Sequence, residues 1–496
     1  MRLPVVITSS LAVATLLGGT ITGCQADADR RPEPGTAASA PVVPETPGPA
    51  GTSPPGTSPP GTSPPGTSPA EPGPAETGPD PERSAWLGRR LRAIVDRQRF
   101  ADVVDAKTGA PPPAVPNVDT AVIELDDAGR PVAAANTLLS QDYPHGVAVP
   151  VSQNLSAPGV NWTHWSNEVW AAHGETGPLI AGRSRAPLRF MTPYPASVFK
   201  LMVAFGVGRL ADRGEVRFDE TYDYRPRKAT CPGGRQPGTH PVSWWLDAML
   251  TYSDNGATCA LLMLLHQRGG IGPMNATLRS LGLTTLGVRD TDAEDGGGWS
   301  FEGLTMTALD TARLLLLFTG APGTLWHAPD GARVTTATLS RSSRVRIRGR
   351  LAEQGLNQAL STANWCGQTY PAPGLPQRVP SRWIDTSTGV VSVGGRLWAG
   401  DVRACAGDAQ VEFDHKTGLV ESAGADAGIV TALPGHLPRH YVVAVFSNLG
   451  CRYADYLGAH GGVCRYTEKL ATLGAAIDRL MIEARSREAR SRGARS

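Results

Sequence analysis

Apolar side chains recur with two different periods along this chain, and the change of period marks out its elements. Residues 84–99 place large apolar side chains at helical spacing, which predicts an amphipathic helix. The apolar runs 118–125 and 131–136 flank the turn sequence Asp-Asp-Ala-Gly at 126–129, which predicts a β-hairpin. The ordered part of the chain is therefore expected to begin with a helix followed by a hairpin.

The later apolar segments predict a mixed fold. Helical spacing favours further helices at 197–211, 242–250, 257–267, 307–318 and 465–484. Short loops join three more apolar runs, which are therefore expected to be antiparallel neighbouring strands, at 410–417, 427–433 and 441–448. With the hairpin they make a sheet of about five strands covered by helices, an α/β class.

The first 24 residues are predicted to direct export rather than to fold. Arg2 precedes an apolar run, 5–19, that is too short to span a bilayer. The sequence Ile-Thr-Gly-Cys that ends at Cys24 resembles a bacterial lipobox, so Cys24 is the expected lipidation site. The alternative is an ordinary signal peptide with an incidental cysteine. We expect an exported protein that is lipid-anchored at the cell membrane and faces the cell wall.

Two segments have a composition that cannot bury a core. Residues 25–82 contain almost no large apolar side chain and repeat Gly-Thr-Ser-Pro-Pro, which predicts a disordered linker. If this linker were fully extended as polyproline II, it would span about 180 Å. Residues 485–496 hold five arginines and are predicted to be a disordered tail. The folded domain is therefore expected at 83–484.

The charge balance and the cysteines narrow the class of protein. The chain has 47 basic and 45 acidic residues, so we expect no nucleic-acid partner. Besides Cys24, six cysteines in an exported domain predict disulfides. The sequence alone cannot choose among the roughly 15 possible pairings, and our working hypothesis is that nearest neighbours pair: 231–259, 366–405 and 451–464. Neither cysteines nor histidines have the spacing of a metal site, so we expect no metal and no cofactor.

Three short motifs stand at the boundaries of predicted elements. Ser-Val-Phe-Lys at 197–200 opens a helix, Ser-Asp-Asn at 253–255 lies between two helices, and Lys-Thr-Gly at 416–418 ends a strand. A second Lys-Thr-Gly, at 107–109, precedes three prolines and is interpreted as a surface turn. Each motif alone is weak evidence, and their order and context together point to an active site.

Four side chains in these motifs suit catalysis by a nucleophilic serine. Ser197 at a helix start is the candidate nucleophile, because a developing oxyanion is favoured there. Lys200 lies one turn away and can take the proton of Ser197 if burial and a nearby cation keep it neutral. Ser253 can pass that proton to a leaving nitrogen. Lys416 supplies the second cation and can hold a substrate carboxylate.

Four further residues are expected to bind substrate. The Thr417 hydroxyl can donate to a substrate carboxylate, and Gly418 has no side chain, so a substrate can lie along the strand edge. The backbone N–H of Leu419 is the expected second oxyanion donor. Asn255 can hold a substrate amide.

In this order, the three motifs resemble the signature of class A β-lactamases and penicillin-binding proteins. The resemblance covers most of residues 84–484, with insertions near 137–187 and 360–405, and is carried also by the flanking stretches 194–201, 278–283, 307–320 and 413–448. It implies a sandwich of a helical lobe and a five-stranded antiparallel sheet. It also implies acyl transfer on small-molecule β-lactam or peptidoglycan-peptide substrates, and we expect a monomer.

The sequence departs from the class A pattern in two places. The Glu-x-x-Leu-Asn stretch, whose glutamate activates the water that releases the acyl group in class A enzymes, is missing from the matching region. Asp290, Asp292 or Glu294 is the candidate replacement, although each could equally be a solvated loop carboxylate. Asp426 and Ala427 stand where class A enzymes usually carry an arginine.

Three functions are therefore open. The first is a serine acyl-enzyme hydrolase that resembles class A β-lactamases. The second is a D,D-peptidase or penicillin-binding protein that is acylated and deacylates slowly, which the missing glutamate favours. The third is a non-catalytic wall-binding module, against which the four candidate catalytic side chains argue, because a pure binder needs none of them.

Overall fold

The described part of the chain begins at Gly78, shortly before its first helix. The computed structural model describes residues 78–234, 236–355, 359–362, 366, 373–394, 396–397 and 400–493. The predicted signal peptide (1–24), Cys24 and most of the predicted linker (25–82) lie outside these residues. The first helix begins at Pro81, two residues before the predicted start of the domain, because the Asp80 carboxylate caps it by accepting from the backbone N–H groups of Glu82 and Arg83.

A six-stranded antiparallel sheet forms the centre of the fold. Its strands, in chain order, are β1 (Val118–Leu125), β2 (Pro131–Leu139), β3 (Val147–Val149), β4 (Val411–Val420), β5 (Ala423–Ala432) and β6 (His440–Ser447). Across the sheet they follow the order β4-β5-β6-β1-β2-β3, and every neighbouring pair is antiparallel. The α/β class and the antiparallel arrangement agree with the sequence-based prediction.

The strand count differs from the prediction of five. The extra strand β3 lies inside the segment 137–187, which the sequence analysis interprets as an insertion. β3 has three residues and pairs with the end of β2. A run this short cannot display the alternation by which strands are recognised, so only its pairing with β2 identifies it.

Helices cover the sheet and build a second lobe. Within the described residues the α-helices are α1 (Pro81–Arg97), α2 (Asn167–Ala171), α3 (Lys200–Asp212), α4 (Val242–Thr251), α5 (Asn255–Gln267), α6 (Ile271–Ser280), α7 (Ala308–Leu316), α8 (Arg341–Leu351), α9 (Arg403–Gly407) and α10 (Glu468–Gly493). The predicted helices correspond to α1, α3, α4, α5, α7 and α10. None of the helices in the described part is long and apolar enough to cross a bilayer.

Short ladders and turns connect these elements. One ladder is parallel and joins Val160–Thr163 to Leu188–Met191. The other ladders are antiparallel and join Val104–Asp105 to Tyr453–Ala454, Thr221–Tyr224 to Gly238–Pro241, Gly287–Val288 to Leu304–Thr305, Trp326–His327 to Arg333–Val334, and Ser392–Val393 to Arg396–Leu397. Single 3-10 turns occur at Phe100–Asp102, Ala196–Phe199, Thr336–Thr338 and Ser381–Trp383.

Both faces of the sheet are buried. In β6, Ala444 and Phe446 join the core beneath α7, which continues into the lobe of α3 to α8. Val443 and Val445 point to the opposite face and join the core beneath α1 and α10. Because both faces are covered, the strands have nearly continuous apolar sequences rather than a clean alternation.

The C-terminal helix is longer than predicted. The prediction ends the helix at 484 and places a disordered tail at 485–496, but α10 continues to Gly493. Arg485 contacts the carboxylate of Asp127, and the guanidinium of Arg487 lies 4.6 Å from the centre of the Trp86 ring. These contacts with the N-terminal half of the chain support the extra turns, and residues 494–496 lie outside the described part.

The three predicted disulfides are confirmed. Cys231–Cys259 links the segment before α4 to α5, Cys366–Cys405 closes the second predicted insertion, and Cys451–Cys464 closes a loop after β6. The second insertion is a small lobe with its own apolar cluster, which includes Val391, Val393 and Val402.

A buried ion pair joins Arg439, the residue before β6, to Asp478 of α10 and provides a test of the fold. Arg439 donates to Asp478 at 2.8 Å, and the Tyr441 hydroxyl donates to the same carboxylate oxygen at 3.0 Å. The substitution Asp478→Ala strands a buried guanidinium, so we expect a loss of about 3–5 kcal/mol in the free energy of unfolding. Glu483→Ala removes the half-exposed pair with Arg90 and should cost less than about 1 kcal/mol. Urea unfolding measures both, and equal losses would contradict this account.

Candidate active site

The candidate nucleophile lies in a strained turn. Ser197 is part of the 3-10 turn Ala196–Phe199, which leads directly into α3. Ala196 has a left-handed φ of 44°, a conformation that costs a non-glycine residue about 1–3 kcal/mol. The Ser197 side chain is half-buried. A strained backbone conformation of this kind persists only where contacts with the surrounding structure hold it in place.

Aromatic side chains support this turn from below. The ring centre of Phe199 lies 5.1 Å from that of Trp299, and the ring centre of Tyr194 lies 4.6 Å from that of Phe301. Trp299 and Phe301 belong to the loop that precedes α7. This loop therefore holds the turn that carries Ser197, a role that the sequence analysis did not predict.

The edge strand β4 approaches the same turn from the other side. A methyl group at Gly418 would lie 2.7 Å from the carbonyl oxygen of Pro195 and 2.9 Å from the backbone nitrogen of Ser197. The Tyr466 hydroxyl donates to the carbonyl of Gly418 at 3.0 Å and fixes the strand from behind. Only glycine permits this approach, so the glycine of the Lys-Thr-Gly motif is needed for packing as well as for the predicted access of substrate.

Lys200 is fully buried and reaches the second motif. Its Nζ lies 2.6 Å from the carbonyl oxygen of Ser253, 3.0 Å from Ser253 Oγ and 2.8 Å from Asn255 Oδ1. Among the described residues no hydrogen bond joins Lys200 to the Ser197 hydroxyl. Catalytic hydrogen bonds often form only when substrate is bound, so this geometry is compatible with the predicted role.

Lys416 reaches the same hydroxyl from the opposite side. Its Nζ lies 3.0 Å from Ser253 Oγ and 2.9 Å from the carbonyl oxygen of Thr417. Ser253 itself has a left-handed φ of 61°, which aims its side chain between the two lysines. The structure thus brings Lys200, Ser253 and Lys416 together as one polar cluster.

The two lysines of this cluster have strongly lowered pKa values. Burial lowers the pKa of Lys200 to about 7, and the charge of Asp254 partly opposes that shift. Burial, followed by the positive charge of Lys200, holds the pKa of Lys416 well below its usual range, and the charge of Asp426 opposes this. Side-by-side buried ammonium groups repel each other, so the pair does not carry two charges at neutral pH.

The predicted substrate-binding residues beside this cluster differ in their exposure to solvent. Asn255 is half-buried and its amide oxygen contacts Lys200, while Leu419 is half-buried on β4 beyond Gly418. Thr417 is only 2 % exposed, and it hydrogen-bonds with Tyr466. Binding of a substrate carboxylate by Thr417 therefore stays a prediction, as does binding by the other residues.

Two of the three candidate deacylation carboxylates pair with the same lysine. The Lys228 ammonium lies 2.9 Å from Asp292 Oδ2 and 3.2 Å from Glu294 Oε2. A hydrogen bond from Lys228 is the main reason that the pKa of Asp292 is lowered. Asp290 is exposed, and no contact among the described residues joins any of the three to Ser197. Their role in deacylation stays a prediction.

A neighbouring carboxylate that the sequence analysis overlooked organises this loop. Asp295 is fully buried and accepts from the backbone N–H groups of Thr230 at 2.6 Å and of Cys231 at 3.0 Å. A side chain at Gly296 or Gly297 would overlap the backbone of the disulfide-bonded segments. The three consecutive glycines at 296–298 are a sequence signal for close backbone packing, but they do not indicate which segment packs against them.

The other Lys-Thr-Gly sequence, at 107–109, forms a turn as predicted. The Asp105 carboxylate accepts from the backbone N–H groups of Lys107 and Thr108, and Gly109 has a φ of 73°. Residues 107–109 do not lie in a strand. They have the same residue types as the motif at 416–418, which lies in β4.

The close approach of β4 to the nucleophile turn generates a prediction. Gly418→Ala should slow acylation of Ser197 by a penicillin about a hundred-fold, because displacement by about 1 Å is enough to have this effect. Gly349→Ala in α8 is the matched control, since a methyl group there meets nothing within 4 Å. Acylation rates measured by intact-protein mass spectrometry compare the two variants. An unchanged rate in Gly418→Ala would contradict the packing argument.

Part of the chain matches one family model, and several solved structures show low-identity similarity to the chain. Residues 191–359 match the family model described as the β-lactamase enzyme family, and no curated protein matches the chain. Solved structures with similarity include PBP-A (14% identity, 79% of this chain and 94% of that chain, TM-score 0.38). They also include β-lactamases from Streptosporangium roseum (14% identity, 79% and 97%, TM-score 0.38) and Sphaerobacter thermophilus (16% identity, 79% and 96%, TM-score 0.38).

The matched segment contains the turn of Ser197, the Ser253 loop and α3 to α8. β4, which carries Lys416, lies outside it and is joined to it through the contacts at Ser253 and at the turn of Ser197. Residues 191–359 are therefore similar to the β-lactamase enzyme family.

Proposed function

We propose that this chain is a serine acyl-transfer enzyme that attacks β-lactam or D-alanyl-D-alanine-like amides through Ser197. The observation that carries the proposal is the position of Ser253 Oγ, 3.0 Å from Nζ of both Lys200 and Lys416. Such a chain of groups can carry a proton between a nucleophile and a leaving nitrogen without a histidine. The family match over residues 191–359 supports the same class of chemistry.

Acylation follows from these positions. Ser197 Oγ attacks the carbonyl carbon of the substrate, and its proton moves to the neutral amine of Lys200. The oxyanion that forms is stabilised by the backbone N–H groups of Ser197 and Leu419. When the carbon–nitrogen bond breaks, the proton passes through the Ser253 hydroxyl to the leaving nitrogen, and the acyl group stays on Ser197.

Substrate orientation is assigned to the strand edge. Lys416 attracts the carboxylate that β-lactams and terminal D-alanine share, and the absence of a side chain at Gly418 lets the substrate lie against β4. Asn255, whose amide oxygen contacts Lys200, is the residue we propose to hold the amide of the substrate side chain.

A second candidate function is a penicillin-binding D,D-peptidase that deacylates slowly. The observation in its favour is that Asp292 and Glu294 are both engaged by Lys228, so neither carboxylate is available to activate water without breaking an ion pair. A non-catalytic wall-binding module is disfavoured, because two fully buried lysines are costly and a binder gains nothing from them.

We also propose that the protein is exported and held at the cell membrane by a lipid on Cys24. The apolar run 5–19 and the cysteine that follows it support export, and the Pro-rich residues 25–82 support a long spacer. A catalytic domain on such a spacer could reach wall peptides away from the bilayer.

The lowered pKa of Lys200 predicts the pH dependence of acylation. Below about pH 7 the Lys200 ammonium cannot accept a proton, and above it the neutral amine can. The acylation rate should therefore rise with pH and level off above about 7. Stopped-flow assays with a chromogenic cephalosporin between about pH 5 and 9 test this. In Lys200→Arg, which stays charged, the rise should be absent, and a wild-type rate independent of pH would exclude Lys200 as the base.

A time course with a penicillin separates the two candidate functions. Intact-protein mass spectrometry should detect an adduct on the wild-type protein that is absent in Ser197→Ala. An adduct that persists supports the slow D,D-peptidase. A transient adduct with accumulating hydrolysed drug supports the β-lactamase, and Asp292→Asn and Glu294→Gln would then identify the carboxylate. Equal behaviour of the wild-type and Ser197→Ala proteins would refute the proposed acyl-enzyme.

A further inference from the structure

Ser253 has a strained backbone conformation that its own segment does not explain. Its φ of 61° lies in the left-handed region, which a residue with a side chain rarely adopts. Ser253 follows the end of α4 at Thr251, and only Tyr252 lies between them. Such a conformation persists where other parts of the chain hold it in place, so the contacts of residues 251–253 decide the position of the Ser253 hydroxyl.

The segment after α8 holds the end of α4. Thr251 is the last residue of α4, so its carbonyl has no partner within the helix. This carbonyl accepts from the backbone N–H of Gly355 at 2.8 Å and from the side-chain amide of Gln354 at 3.2 Å. Because Thr251 is fully buried, water does not compete for these hydrogen bonds. The segment 353–355 therefore fixes the point from which the Ser253 turn starts.

Trp383 of the second insertion packs on this segment. Its indole N–H donates to the carbonyl of Glu353 at 2.8 Å, and a methyl group at Gly355 would lie 2.7 Å from the indole nitrogen. The guanidinium of Arg382 lies 4.1 Å from the centre of the Trp383 ring and pairs with Asp247 of α4 at 3.4 Å. Trp383 is therefore held between that segment and α4.

Tyr252, the residue before Ser253, packs against the same insertion. Its ring centre lies 6.3 Å from that of Trp383, with the two rings edge to face at 82°. A methyl group at Gly394 would lie 3.0 Å from the Tyr252 ring, and the ring also contacts the apolar cluster of the insertion. Both residues that precede Ser253 are thus held, Thr251 through its carbonyl and Tyr252 through its ring.

The second insertion also contacts the strand that carries Lys416. Gln377 Nε2 lies 3.3 Å from Nε2 of His415, the residue before Lys416. The backbone N–H of Leu360 donates to the carboxylate of Asp426 at 3.2 Å, and the other oxygen of that carboxylate lies 2.7 Å from His415 Nδ1. The insertion therefore links β4 and its neighbour β5 to the end of α4.

The position of the Ser253 hydroxyl matters most for substrates whose leaving group needs a proton. When the carbon–nitrogen bond of an amide breaks, the nitrogen takes a proton from Ser253, which regains one from the Lys200 ammonium. When the carbon–sulfur bond of a thioester breaks, the sulfur leaves with the bonding electrons as a thiolate, because a thiol has a pKa of only about 8.5. Displacement of Ser253 should therefore slow attack on amides much more than attack on thioesters.

We propose that Trp383 is a positioning residue that acts through Tyr252 and the carbonyl of Thr251 to hold the Ser253 hydroxyl where it protonates the leaving nitrogen. Trp383 is assigned no contact with substrate. The inference rests on the proposed function and deepens it: the second insertion makes the site efficient for substrates with a nitrogen leaving group, such as β-lactams and peptides, compared with thioesters.

The test compares acylation of the full chain by a penicillin and by an N-acyl-D-alanyl thioester, with second-order rates from rapid quenching and intact-protein mass spectrometry. In Trp383→Ala the penicillin rate should fall about ten-fold, because a displaced general acid loses part of its contribution of about 10²–10⁴-fold. The thioester rate should stay within about two-fold of the wild type. Trp383→Phe keeps a ring against Tyr252 and should restore most of the penicillin rate.

Trp244→Ala is the matched control. Trp244 lies near the start of the same helix, α4, and is 41 % exposed, where it stacks on His240. Its removal deletes an indole from α4 without touching the contacts of Tyr252, so both acylation rates should stay unchanged. Thermal unfolding establishes which variants are folded.

A second variant keeps the inference testable if Trp383→Ala does not fold. Tyr252→Leu removes the same ring contact from the other side and should show the same preferential loss with the penicillin. Equal slowing of both substrates, no slowing of either, or a wild-type protein that only one of the two substrates acylates would overturn the inference while the acyl-enzyme proposal stands. A wild-type protein that neither substrate acylates would overturn both.

Discussion

The site depends on one shared contact: two buried lysines meet on the hydroxyl of Ser253, each at 3.0 Å. Lys200 comes from α3, Ser253 from the loop between α4 and α5, and Lys416 from β4. The contact can form only if the helical lobe and the sheet are held in a fixed position relative to each other. Buried lysine amino groups left without these acceptors would be unfavourable, so the cluster constrains both layers.

The surrounding structure holds the groups of the site in position through contacts in three places. Gly418 allows β4 to touch the turn of Ser197, and the Tyr466 hydroxyl holds the strand from the opposite face. Asp295 ties the loop beneath the turn to the segment of Cys231. The second insertion contacts Asp426 and His415 behind β4. Loops and insertions, which often carry variable function, here act as supports for groups on rigid elements.

The two halves of the proposed reaction are supported unequally. Every group assigned to acylation lies in or beside the buried cluster, where charges and hydrogen bonds are set in advance. The carboxylates considered for deacylation are on a loop, where Asp292 and Glu294 are paired with Lys228. This difference is why the slow-deacylating D,D-peptidase is a serious alternative to the β-lactamase.

The sequence by itself determined the features that depend on local pattern: the strands β1, β2, β4, β5 and β6, the main helices and the motif residues. It left the pairing of the six cysteines open, and the structure shows that nearest neighbours pair. Periodicity, turn residues and short spacings are visible in a single segment. Only the tertiary structure decided the strand β3, the length of α10, and the pairing of Asp426 with His415 and the second insertion. These features depend on contacts between residues far apart in the chain, where neither a period nor a spacing records which groups will meet.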